Sequence, residues 1–115
     1  MRLEQQEITA IKQAIFSYVP AGQCLLYLFG SRADDQKKGG DIDLLLVIKD
    51  SASITGDDVK RYKLEMLVDI KSAIGDQKID LVIAEARELD CDPFLREIMR
   101  TAVELCAAKS EIPSN

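Results

Sequence analysis

Histidine and tryptophan are both missing from this chain of 115 residues, and cysteine (three), proline (three) and glycine (six) are sparse. The lack of histidine excludes every imidazole-based general base, catalytic triad and Cys/His zinc site. Cys24, Cys91 and Cys106 are an odd number at unrelated spacings, so they offer no disulfide framework. They read as small core residues of a reduced, cytoplasmic protein. No apolar run approaches the roughly 18 residues of a membrane span, and the polar, acidic N-terminus is no signal peptide. No membrane partner is therefore expected. Basic residues are in the minority, 15 Lys and Arg against 20 Asp and Glu, for a net charge of -5. Sequence-independent nucleic-acid binding depends on neutralising phosphates, so direct contact with nucleic acid is not expected either. What is present is an ordinary globular balance, 47% apolar and 30% charged. At this length one core forms, burying roughly two-thirds of the surface of the unfolded chain.

Hydrophobic periodicity divides the chain into alternating helices and strands. Ile8, Ile11, Ile15, Tyr18 and Val19 recur at helical spacing over residues 3–19, and Pro20-Ala21-Gly22 ends that helix. CLLYLF, Cys24 to Phe29, is an apolar run bounded by glycines and predicts a buried strand. The polar stretch that follows has room for one helical turn and a turn at Gly39-Gly40. IDLLLVI, Ile42 to Ile48, is apolar on both faces beyond Asp43 and so predicts a central strand. A helix capped by Asp57-Asp58 is expected over 57–74, with Val59, Tyr62, Met66 and Ile70 inward and Gly75 as its stop. A third strand is expected over 79–84. A last helix starts at Asp92-Pro93 and presents Phe94, Leu95, Ile98, Met99, Ala102 and Cys106 on one side. The expectation is a single α/β (α+β) domain over residues 1–109, with one mixed sheet of about three strands flanked by helices, and a frayed tail at 110–115.

Three acids stand where acids are unwelcome. Asp41 and Asp43 open an otherwise aliphatic strand, and Asp80 lies between Ile79 and Leu81 at the start of the third. Residues two apart on a strand share a face, with Cα atoms about 6.5 to 7 Å apart. Carboxylates that close, at the margin of an apolar sheet, repel unless a cation or proton compensates. All-oxygen donors favour Mg²⁺ or Mn²⁺. Gly30-Ser31 ends the first strand, where a glycine allows close backbone approach and the following N–H groups and hydroxyl suit an anion. Taken singly, each feature is ordinary: a Gly-Ser is a turn, an edge aspartate is solvated, and Arg32, Lys37 and Lys38 are loop charges. Only their combination carries chemistry.

That combination, LFGSRADDQKKGGDIDLLLVI followed by KIDLVIA, resembles the signature of the DNA polymerase β-like nucleotidyltransferase superfamily. In that superfamily a strand ends in Gly-Ser, an Asp-x-Asp opens a second aliphatic strand, and a third Asp stands in a later strand. Here nine residues separate Ser31 from Asp41. The final DPFLREIMRTAVEL is similar to the closing helix of the small bacterial members, the minimal nucleotidyltransferases. The resemblance covers roughly residues 8–106. It implies that the first two strands run antiparallel and the second and third parallel, so that Gly30, Asp41 and Asp80 meet. It also implies that Asp41, Asp43 and Asp80 hold Mg²⁺ (or Mn²⁺), with ATP as substrate. Asp80 would help deprotonate the acceptor, and Gly30, Ser31 and Arg32 would contact the nucleotide phosphates. The length leaves little surface to enclose an acceptor, which a partner or second copy would present. Such proteins usually accompany a HEPN-domain RNase toxin, and the resemblance implies an antitoxin of a type VII-like pair that attaches AMP to a Tyr of that partner. A non-catalytic antitoxin that neutralises the HEPN protein by binding is the alternative.

Overall fold

The computed structural model describes residues 3–30, 41–75 and 77–105. Ser31, Arg32, the expected Gly39-Gly40 turn and the helical turn before it, Cys106 and the tail at 110–115 lie outside the described residues. The elements in chain order are α1 (Gln5–Phe16), β1 (Cys24–Phe29), β2 (Ile42–Ile48), α2 (Gly56–Lys60), α3 (Lys63–Ile74), β3 (Ile79–Glu85), α4 (Pro93–Thr101) and β4 (Val103–Glu104).

One mixed sheet has the order β3-β2-β1-β4. The pair β1–β2 is antiparallel, from Cys24 opposite Ile48 to Phe29 opposite Asp43. The pair β2–β3 is parallel, from Ile42 opposite Ile79 to Ile48 opposite Glu85. A parallel pair needs a crossover, which α2 and α3 supply. Both strand directions implied by the resemblance are therefore found.

Strand alternation sends β2 side chains to both faces, and both are covered. Ile42, Leu44, Leu46 and Ile48 pack with Leu26, Leu28, Leu81 and Ile83 beneath Ile8, Ile11 and Ile15 of α1 and Met66 and Ile70 of α3. Leu45, Val47 and Ala84 pack on the other face against Leu95 and Ile98 of α4. Each fully buried Leu or Ile contributes about 1.5–3 kcal/mol, so β2 is the energetic spine of the domain.

The structure redraws several boundaries: the first helix, expected through Val19, ends at Phe16. The helix expected over 57–74 is two helices, interrupted at Arg61 and Tyr62. Its cap is Thr55 rather than Asp57: the Thr55 hydroxyl accepts the Asp58 N–H at 3.1 Å while Asp58 Oδ2 accepts the Thr55 N–H at 3.4 Å. At the break Tyr62 lies at the surface, its ring 5.4 Å from that of Tyr18, whose hydroxyl donates to Asp69. The last helix begins as expected, with Asp92 Oδ1 accepting the Phe94 N–H at 2.8 Å, but stops at Thr101. Ala102 is extended, and residues 103 and 104 add a fourth strand antiparallel to β1. Phe94, expected on the inner side of that helix, is exposed.

Candidate active site

The amino ends of β2 and β3 carry the acids. Asp43 and Asp80 are direct partners in the parallel register, so their Cα atoms are about 4.8 Å apart and their side chains leave the same face. By alternation this is the face of Leu45 and Val47, over which α4 packs. The buried anchors of α4 gather further along the strands, with Leu45, Val47 and Ala84, and the acids occupy the rim beyond them. Asp41 precedes β2 by one residue and lies on the Asp43 side of the strand; it and Asp80 are exposed, and Asp43 is half-buried.

Gly30 explains how the end of β1 meets this rim. Its neighbour Phe29 is paired with Asp43 as the last rung of the β1–β2 ladder. Gly30 then turns with φ of 76°, in the left-handed region that favours glycine, and a Cβ built there would overlap Asp43 Oδ2. Glycine is therefore required twice at this position, for the turn and for the carboxylate.

Negative charge is in surplus at this rim. Burial pushes the Asp43 carboxyl above the ordinary carboxylate range, and the neighbouring charges of Asp80 and Asp41 push it further. Among the described residues, Lys78 alone opposes them. No hydrogen bond among the described residues reaches the Asp43 carboxylate. Asp41 has Lys78 Nζ at 3.8 Å. Among the described residues no three acidic or thiol side chains converge as a ready metal cage. Asp43 and Asp80 stand side by side, while Asp41 has a lysine for company. The donor set itself, three carboxylates in a half-buried rim with a surplus of negative charge, suits a hard divalent cation.

Of the residues singled out in the sequence, the structure brings Gly30, Asp41, Asp43 and Asp80 to one rim; Ser31 and Arg32 follow Gly30 directly but lie outside the described residues. Lys78 was missed. The available signal was parity, since a residue two before Asp80 at the opening of a strand projects to the same side.

A sequence model of the family described as "Polymerase beta, Nucleotidyltransferase" matches residues 24–111, a span that contains every acid of the rim. Among solved structures, one from Sulfolobus solfataricus described as a candidate nucleotidyltransferase is similar, with 20% sequence identity and a TM-score of 0.42, covering 90% of this chain and 89% of that one. No curated protein matches the sequence.

Proposed function

From the premise that the chain belongs to the polymerase β-type nucleotidyltransferases, we propose that its acidic rim transfers AMP from ATP to a tyrosine hydroxyl of a HEPN-domain toxin. The protein then acts as that toxin's antitoxin. General nucleotidyl transfer follows from the family; the nucleotide, the acceptor and the partner are this reading's own. The observation that carries it is the in-register pair Asp43–Asp80 beside the left-handed turn at Gly30, which sets paired carboxylates next to a backbone suited to phosphate.

Asp41, Asp43 and Asp80 would hold Mg²⁺ or Mn²⁺. When bound, such an ion neutralises the triphosphate and stabilises charge on the attacking and leaving oxygens. The chain's residues supply the rest. Gly30, lacking a side chain, leaves room for phosphate oxygens against the backbone, and Ser31 and Arg32, next in the chain, would contact those phosphates as the resemblance implies. The acceptor oxygen bonds to the α-phosphorus, the bond from that phosphorus to the bridging oxygen breaks, and pyrophosphate departs. The acceptor's proton would pass to a carboxylate, since the chain has no histidine, and the resemblance assigns that role to Asp80. An open rim, with Asp41 and Asp80 exposed, suits an acceptor carried by another macromolecule.

Intact-mass spectrometry of the HEPN partner co-expressed with this chain tests the reading. The partner is expected to gain one or more AMP units with the parent and none with an Asp41→Asn/Asp43→Asn double variant. A partner left unmodified by the parent removes the protein-AMPylation assignment. Modification that survives the double variant removes the acids from the chemistry. A double variant that still silences an unmodified toxin favours the binding-only antitoxin.

A further inference from the structure

The four charged residues at the rim form a quadrilateral. Asp41 and Asp43 are two apart on one strand, Lys78 and Asp80 two apart on its parallel neighbour. Asp43 faces Asp80, and one step outward Asp41 faces Lys78. The backbone at this last corner is fixed: the Ile42 N–H donates to the Lys78 carbonyl at 3.0 Å, continuing the ladder past the end of β3. The side chain is not fixed. Lys78 is 79% exposed and Asp41 51% exposed, and the 3.8 Å between them is a loose ion pair in contact with water.

We propose that Lys78 is a built-in counter-cation that occupies the Asp41 corner until a divalent ion displaces it. This rests on the reading of the rim as the metal-dependent transfer site. A hard cation binding Asp41 and Asp43 must take the Asp41 carboxylate from the ammonium, so Lys78 lowers the affinity of the nucleotide-free site for the free ion. The same ion carried in by a nucleotide meets a smaller barrier. Its phosphates bring the negative charge to which the displaced, long and flexible Lys78 side chain can turn. Lys78 is thus a positioning residue that couples metal occupancy to nucleotide arrival. A single positive charge several ångströms from a doubly charged ion, in a water-exposed rim, is worth about threefold to tenfold in ion affinity at low ionic strength, and less as salt is added.

Calorimetric titration of the nucleotide-free protein with Mn²⁺ decides this without an activity assay. Lys78→Gln is expected to bind Mn²⁺ about threefold to tenfold more tightly than the parent at low salt, the gain shrinking at high salt. Lys78→Arg, which keeps the charge, is expected to stay within about twofold of the parent. Asp43→Asn is expected to lose binding in either background. If Lys78→Gln binds no tighter than the parent while Asp43→Asn loses the ion, the role of Lys78 is overturned and the metal site stands. If the parent binds Mn²⁺ and Asp43→Asn binds it equally well, or if no variant binds it, the metal site falls and the Lys78 proposal with it. Circular dichroism of the exposed Lys78 variants confirms that the fold is the same in each.

Discussion

At the carboxyl ends of β2 and β3, Glu85 has its partners built in. Its Oε2 accepts the Gly56 N–H at 2.7 Å, its Oε1 meets the Arg87 guanidinium at 2.6 Å, and its own N–H is taken by Glu88 Oε1 at 2.7 Å. Gly56 comes so close that a Cβ there would stand 3.0 Å from Glu85. At the amino ends of the same two strands, Asp43 is also half-buried but has two like charges beside it and no hydrogen bond from the described residues. Both carboxylates sit at a sheet rim in the same α/β domain. One is neutralised by the chain and fastens the β2–α2 connection to β3. The other has no such partner among the described residues. Partially satisfied charge marks a functional rim, and fully satisfied charge marks a structural one.

Substitutions at the two rims should separate activity from stability. The largest effect belongs to Gly30→Ala, which strains a left-handed turn and drives a methyl into Asp43. Displacing a reacting group by about 1 Å costs on the order of 10²-fold in rate, so transfer should fall by at least about that factor while the sheet still forms. Measurement of kcat/KM beside a thermal melt checks this, and a variant with parental activity would dissociate Gly30 from the chemistry. Glu85→Ala should do the reverse. It strands the part-buried Gly56 N–H, costing about 1–3 kcal/mol in urea unfolding, with transfer per folded molecule unchanged. A large loss of activity with no loss of stability would erase the distinction between the rims.

The smallest effect concerns pH. The Asp43 carboxyl is raised in the fold by burial and by its acidic neighbours, so the folded state holds this proton more tightly than the unfolded chain. The resulting penalty is absent below the unfolded carboxylate range, develops as pH rises through the folded value, and is fully present above it. In metal-free buffer Asp43→Asn should therefore stabilise the fold slightly at pH 7, by less than about 1 kcal/mol for so open a site, with a correspondingly small rise in Tm, and leave stability unchanged near pH 3. A variant less stable than the parent at pH 7 would show that Asp43 supports the fold itself.

How much of this was legible beforehand depends on range. The bounds of β1 and β2 coincide with the apolar runs, because Gly22, Gly30 and the acids punctuate them locally. Asp41 and Asp43 could be set side by side because residue parity along a strand follows from covalent geometry, while Asp80 joined them only through the family resemblance. The break between α2 and α3 was not legible. Val59, Met66 and Ile70 keep a helical spacing across it, and neither Arg61 nor Tyr62 is a helix breaker. The early end of α4 was hidden for the same reason: nothing in TAVEL forbids a helix, and the chain leaves it because β1 offers an unpaired edge. Lys78 was overlooked because its partner is 37 positions away in sequence and becomes a neighbour only through the parallel register.

That edge gives β4 an importance out of proportion to its two residues. Cys24–Phe29 is six apolar residues without a charge, the composition of a segment prone to intermolecular stacking once its backbone is uncovered. Tyr27 opposite Glu104, Leu28 opposite Val103, and the Leu105 N–H on the Leu26 carbonyl at 2.7 Å screen its outer side, and Glu104 adds a charge that repels a further strand. The chain thus shields its stickiest segment with its own following residues, and colloidal behaviour, more than folding free energy, is what loosening them would compromise.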